Sequence, residues 1–248
     1  MEQPLAERMR PKTLDEYIGQ NHLTKQGDII REIIKKKQPT SLIFWGPPGS
    51  GKTTLARIIA TELAIDFVEL SAVTAKKAEV VQVVERARVN WNLQKRTLLF
   101  IDEIHRFSKS QQDTFLPHVE SGLITLIGAT TENPSFEVIA PLLSRSRIIV
   151  LQPHSKEDMV AIIKRAIKLE KATKRISKQA INLLAEISGG DAQGLHFLTS
   201  NLPCSLLKKL RPKPLKPRPK NACSVMTKAA NITTISSQPL LKVCAVPM

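Results

Sequence analysis

The stretch Trp45-Gly46-Pro47-Pro48-Gly49-Ser50-Gly51-Lys52-Thr53-Thr54 restricts what this chain can fold into more than any other. It has the spacing G-x-x-x-x-G-K-T. The apolar run Leu42-Ile43-Phe44-Trp45 precedes it, and Leu55, Ile58, Ile59 and Leu63 follow at helical spacing. A glycine-rich loop between a strand and a helix can turn its backbone N–H groups inward and aim the positive end of the helix at an anion. In that context Lys52 reaches the β- and γ-phosphates of a nucleotide and Thr53 supplies a hydroxyl for Mg²⁺. The loop therefore predicts a nucleoside-triphosphate site formed by Gly46, Pro47, Pro48, Gly49, Ser50, Gly51, Lys52, Thr53 and Thr54.

The rest of the chain supplies the sheet such a loop needs. Apolar runs at 41–45, 67–70, 97–101, 123–129 and 148–151 read as strands, and helical patterns at 26–38, 52–63, 76–92 and 108–120 separate them. Two further helical patterns, 155–171 and 177–187, follow with no strand between them. Strands alternating with helices, then helices only, predict a parallel five-stranded α/β sheet flanked by helices, followed by a partial helical lid. The run Thr97-Leu98-Leu99-Phe100-Ile101 ends in Asp102-Glu103, which places two carboxylates at the carboxyl edge of a buried strand, where open α/β sheets bind ligands. Asp102 suits Mg²⁺, directly or through water, and Glu103 suits the general base that polarises the attacking water. Thr130-Thr131-Glu132-Asn133-Pro134 closes the next strand with polar side chains where the γ-phosphate would lie.

Charge separates the body from the tail. The net charge is +15, yet residues 201–248 carry nine Lys and Arg and no Asp or Glu. The same segment holds all three cysteines (Cys204, Cys223, Cys244) and seven of the 16 prolines. These cysteine spacings suit neither a zinc site nor a redox pair. The segment reads as a basic, proline-rich, disordered tail, able to attract phosphate backbones but without aromatic residues for base stacking. No apolar run reaches the length of a bilayer span, and the N-terminus has no apolar segment behind a charged head. The expectation is an intracellular protein without a membrane partner.

Several strings resemble one family. Pro4-Leu5-Ala6-Glu7-Arg8-Met9-Arg10-Pro11, Ile18-Gly19-Gln20, Asp102-Glu103-Ile104-His105-Arg106-Phe107, Gln111-Gln112-Asp113 and Ile127-Gly128-Ala129-Thr130-Thr131-Glu132-Asn133-Pro134-Ser135-Phe136 accompany the P-loop. Together they resemble an AAA+ ATPase of the clamp-loader group, and more closely the replication-associated recombination protein A family, which includes the Werner-helicase-interacting ATPase. The resemblance covers residues 4 to about 191. It implies ATP and Mg²⁺ as ligands and turnover in a homo-oligomer on single-stranded or fork-like DNA. Replication and repair proteins are the implied partners, in the cytoplasm of a bacterium or the nucleus of a eukaryote. It assigns Thr131, with Asn133 as second candidate, to sensing the γ-phosphate. Arg145 becomes the arginine finger offered to a neighbouring subunit, and residues around Tyr17 and Ile18 cover adenine. A clamp-loader subunit and a Holliday-junction branch-migration motor share these parts and are the near alternatives. The implied division is an adenine-covering segment 1–24, an ATPase core 25–152, a partial lid 153–200 and the tail 201–248.

The chain departs from the family at one point. The family pattern continues Gly-Asp-Ala-Arg, the arginine reaching from lid to nucleotide; here Gly190-Asp191-Ala192 is followed by Gln193, which has no charge to offer phosphate. Codons for residues 226–248, shifted back by one base, permit K-G-G-E-H-H-Y-N-L-I-S-A-L, which resembles a C-terminal motif of the same family. The same shift at 192–197 permits A-R-A-A-L. Translation leaving the family's frame near residue 192 accounts for both, and a natural basic tail is the alternative. An ATP-binding fragment with little activity, lacking the lid arginine, is the further alternative to an oligomeric DNA-maintenance ATPase.

Overall fold

The five apolar runs form one parallel sheet in a computed structural model of the protein, which describes residues 5–25, 27–75, 77–169 and 178–192. Three short helices, α1 (Leu5–Met9), α2 (Asn21–Thr24) and α3 (Ile29–Lys36), precede β1 (Leu42–Trp45). The P-loop leads into α4 (Lys52–Glu62), then β2 (Asp66–Ser71), α5 (Lys77–Asn92) and β3 (Thr97–Asp102). A 3₁₀ turn at Ile104–Arg106 precedes α6 (Lys109–Asp113), α7 (Leu116–Glu120) and β4 (Ile124–Thr130). Two short helices, α8 (Pro134–Glu137) and α9 (Ala140–Ser144), lead to β5 (Arg147–Val150), and α10 (Lys156–Leu169) and α11 (Lys178–Ile187) complete the described chain.

The strand order is β2-β3-β4-β1-β5, with every neighbouring pair parallel. From β1 the chain crosses to the far edge and returns through β3 and β4, so β1 stands at the point where the winding reverses. Loops leaving such a strand diverge and open a crevice at the carboxyl edge of the sheet.

Side chains along the central strands alternate between two apolar layers, as the pleat requires. Leu42, Phe44, Leu98, Phe100, Ile127 and Ala129 face α3 and α4 with Leu55, Ile58 and Ile59. Ile43, Leu99, Ile101 and Leu126 face the other way, onto Val80, Val83, Val84 and Ala87 of α5 and onto Phe107, Phe115 and Leu142. Because both faces are covered, β4 is buried throughout and β3 up to Asp102, and both read as near-continuous apolar runs. The edge strand β5 is buried only at Ile149. Beyond the sheet, Met159 and Ile163 of α10 pack against Ile181, Leu184 and Ala185 of α11 in a core of their own.

The helix predicted over 108–120 is two helices. Ser108 and Gln111 form a capping box that starts α6, and Pro117 lies in the first turn of α7. Proline has no N–H for the carbonyl of Asp113, so a single helix cannot run through. The buried ring of Phe115 occupies the break. The helix predicted over 26–38 is shorter, ending where Lys37 turns left-handed and donates its N–H to Ile34 O. Gln193 and the predicted tail 201–248 lie outside the described residues. Among the described residues no helix is long and apolar enough to cross a membrane.

Candidate active site

The P-loop is fastened to the strand edge at its first residue. Gly46 N–H donates to Thr130 O at 3.2 Å, and Leu151 N–H donates to Trp45 O at 2.7 Å. A Cβ on Gly46 would stand 2.4 Å from Leu151 O, so only glycine fits between β1 and β5 there. Gly49 (φ +69°) and Gly51 (φ +92°) take the left-handed turns that curl the loop. Among the described residues, none of the backbone N–H groups from Gly49 to Thr54 finds a protein acceptor, so the loop keeps a set of donors at the start of α4. Such a set, at a helix N-terminus, fits an anion. Lys52 is buried, and its Nζ donates to Gly46 O at 2.8 Å and Pro47 O at 2.9 Å. Burial holds its ammonium below the ordinary lysine range, opposed by the charges of Glu103 and Asp102.

The two carboxylates enter from β3. Asp102 is its last residue, in register with Ser71, and Glu103 turns left-handed at φ +55°. Burial pushes the Asp102 carboxyl up, the charge of Glu103 pushes it further, and Lys52 opposes both. His105 meets Glu103 and the end of β4: its Nε2 is 3.1 Å from Glu103 Oε2 and 3.4 Å from Glu132 Oε1, and its Nδ1 is 3.0 Å from Thr130 Oγ1. Among the described residues no group of three or more His, Cys, Asp or Glu would hold a metal by itself. Thr53 and Asp102 both line the cleft and offer a hydroxyl and a carboxylate. That suits Mg²⁺, which completes its shell with water and phosphate oxygens rather than a protein cage.

Lys52, Thr53, Asp102 and Glu103 share a cavity of about 330 Å³ with two other parts of the chain. Met9, Arg10, Pro11, Tyr17 and Ile18 form the wall before β1, and His154, Ile162, Arg165 and Ala192 form the wall after β5. Tyr17 is buried against the loop, its hydroxyl 3.3 Å from the carbonyls of Ser50 and Gly51, and burial pushes its phenol up. Arg165 of α10 donates to Glu16 O at 3.0 Å and Glu16 Oε2 at 2.8 Å across the cleft. His154 is buried, its Nδ1 has no hydrogen-bond partner among the described residues, and burial holds its imidazole below the ordinary range.

The structure does not bring every predicted site residue to this cavity. Gly46, Pro47 and Ser50 lie behind its wall, building the loop that Pro48, Gly49 and Gly51 to Thr54 present. Thr131 is half-buried just past β4 and is not a wall residue, and Asn133 caps α8 by accepting Ser135 N–H at 3.0 Å. Arg145 stands at the end of α9, paired with Glu120 at 2.6 Å and donating to Pro141 O at 3.0 Å. Sequence reasoning missed Glu16, His154, Ile162 and Arg165 as wall residues. Arg165 and Ile162 are ordinary members of an amphipathic helix, and no local spacing ties them to a loop more than a hundred residues earlier.

The chain is similar to a described family and to several known proteins. The family model described as the Holliday junction DNA helicase RuvB P-loop domain matches residues 9–140. The chain is 49% identical over 198 residues to the replication-associated recombination protein A of Escherichia coli K12, covering 77% of this chain and 44% of that protein. It is 43% identical over 194 residues to the ATPase WRNIP1 of Dictyostelium discoideum, covering 77% of this chain and 22% of that one. A solved structure of the Thermotoga maritima RuvB Holliday junction branch migration motor superposes with a TM-score of 0.64 at 32% identity, over 77% of this chain and 64% of that one. The chain thus spans less than half the length of these two curated relatives.

Proposed function

The chain belongs to the replication-associated recombination protein A family of AAA+ P-loop ATPases, and from that premise we propose that it hydrolyses ATP between subunits of an oligomer acting on DNA. The process served would be fork recovery, repair and recombination. The observation that carries this reading is the shared cleft: Lys52, Asp102 and Glu103 line one cavity with the P-loop and with Tyr17 and Ile18. The free N–H groups and Lys52 would take the phosphates, so Lys52 must give up its carbonyl partners when ATP enters. Thr53 and Asp102 would hold Mg²⁺, which when bound neutralises phosphate charge. Glu103 would orient and deprotonate the attacking water.

In this reading Thr131, on the turn after β4, would sense the γ-phosphate. Arg145 would be offered to the ATP of the adjacent subunit, exchanging its pairing with Glu120 for phosphate. Its place outside the chain's own cleft supports a role in trans. Residues 153–200 would act as the lid, and the basic segment 201–248 would add non-specific attraction to DNA. A second reading, a Holliday-junction branch-migration motor, is favoured by the likeness to the Thermotoga structure.

ATP hydrolysis and binding of a fluorescent ATP analogue, measured on the same variants, test the proposal. Lys52→Ala is expected to lose binding. Glu103→Gln should bind but turn over about 10²–10⁴-fold more slowly. Mixing Glu103→Gln with Arg145→Ala should recover part of the activity that each lacks, because one subunit then supplies the base and another the finger. Undiminished hydrolysis by Glu103→Gln would remove the base assignment, and no recovery on mixing would remove the finger. Movement of a four-way junction on addition of ATP would favour the motor reading.

A further inference from the structure

We infer that His105 is a positioning residue for Glu103, holding it in the cleft and tying its orientation to the turn after β4. The inference rests on the reading of Glu103 as the general base. Glu103 leaves β3 in a left-handed conformation, with its side chain 31% exposed. A carboxylate so placed has several rotamers open to it, and among the described residues no hydrogen bond or ion pair from β3 selects one.

His105 supplies the selection. Its side chain is only 4% exposed, and each ring nitrogen has a defined partner. Nε2 faces carboxylate oxygens of Glu103 (3.1 Å) and Glu132 (3.4 Å), which only accept, so Nε2 carries the proton and donates. Nδ1 lies 3.0 Å from Thr130 Oγ1, whose single proton has Nδ1 and Glu132 O (3.2 Å) as its two acceptors. Thr130 is buried completely, and its Oγ1 accepts Glu132 N–H at 3.0 Å. The ring is thus anchored at its back by the last residue of β4 and at its front by the carboxylate at the exit of β3. Glu132, beside Thr131, shares the donated proton with Glu103. A shift of the turn 130–132 changes the donor that Glu103 receives, so whatever draws on Thr131 is transmitted to the base through one imidazole.

The test is steady-state ATP hydrolysis by the full chain with Mg²⁺, alongside the dissociation constant for ATP and the melting temperature. His105→Ala is expected to lower kcat by about 10–100-fold, the cost of a base displaced by an ångström or so, with little change in ATP affinity. His105→Gln, which retains an N–H donor, should recover part of that loss. On a Glu103→Gln background His105→Ala should reduce the residual rate no further. If His105→Ala does not fold, Thr130→Val removes the ring's rear anchor at nearly constant shape and should lower kcat with ATP affinity retained. Parental kcat in His105→Ala, equal losses in kcat and affinity, no recovery by glutamine, or an added loss on the Glu103→Gln background would each overturn the inference. Normal turnover by Glu103→Gln would instead overturn the underlying assignment of the base.

Discussion

Gly51 meets two separate demands at one position. Its φ of +92° is a region that residues with a Cβ avoid, and a Cβ built there would stand 2.5 Å from the Tyr17 hydroxyl. Gly51→Ala should therefore destabilise the fold by about 1–3 kcal/mol and weaken ATP binding as well, because relief requires the loop or Tyr17 to move. Urea unfolding and analogue titration on one preparation check both. Tyr17→Phe isolates the other half of the contact. It keeps the ring against the loop but removes the hydroxyl near Ser50 O and Gly51 O, and should cost about 1 kcal/mol. Residues of this kind divide by legibility. The glycine spacing announces itself along ten positions of sequence. The tyrosine, more than thirty residues earlier, does not, and it entered the sequence reading only through a family resemblance.

Among the elements, the edge strand β2 depends on polar ties as well as on its core. Arg86 of α5 donates to both oxygens of Asp66, at 2.7 and 2.6 Å, and Asn90 donates to Asp66 at 2.8 Å and to Thr97 Oγ1 of β3 at 2.9 Å. The Arg86 hydrogen bonds are the main reason the Asp66 carboxyl sits below its ordinary range, with Asn90 adding to them. A carboxylate depressed in the folded state stabilises it fully above the unfolded-state pKa, and that contribution disappears as pH falls through the folded-state value. Arg86→Ala should thus cost about 0.5–1 kcal/mol near neutrality. The difference from the parent should vanish in the acid range, as read by denaturant unfolding at several pH values. Element boundaries were the weaker part of the sequence reading for a related reason. The periodicity over 108–120 suits one helix, and only the proline's missing N–H and the burial of Phe115 divide it.

For the described molecule as a whole, the cleft closes between the wall before β1 and helix α10. Arg165 reaches Glu16 across it, and the Glu16 carboxyl is held below its ordinary range first by that hydrogen bond and then by Lys12 N–H. Both partners are accessible enough for salt to weaken the contact. Arg165→Ala should speed release of a bound ATP analogue in stopped-flow chasing. Added salt should speed release from the parent more than from the variant. Gly49 provides a second closure point, since a Cβ there would overlap the Asp191 carboxylate. The segment after α11 therefore reaches the phosphate loop itself.

The sequence by itself determined the strand–loop–helix, the carboxylates closing β3 and the parallel alternation of strands and helices. Each of these is a local pattern: a spacing of glycines, a run of apolar side chains, a period. Tertiary structure decided which distant residues complete the site. It placed Tyr17, His154 and Arg165 around the P-loop, left Thr131 and Arg145 off the cavity wall, and set His105 between β3 and β4. The strand order explains why, because reversal of the winding at β1 brings the ends of β3 and β4 beside a loop some fifty to eighty residues earlier in the chain. Contacts made across such separations depend on how the sheet is wound, and no local spacing encodes them.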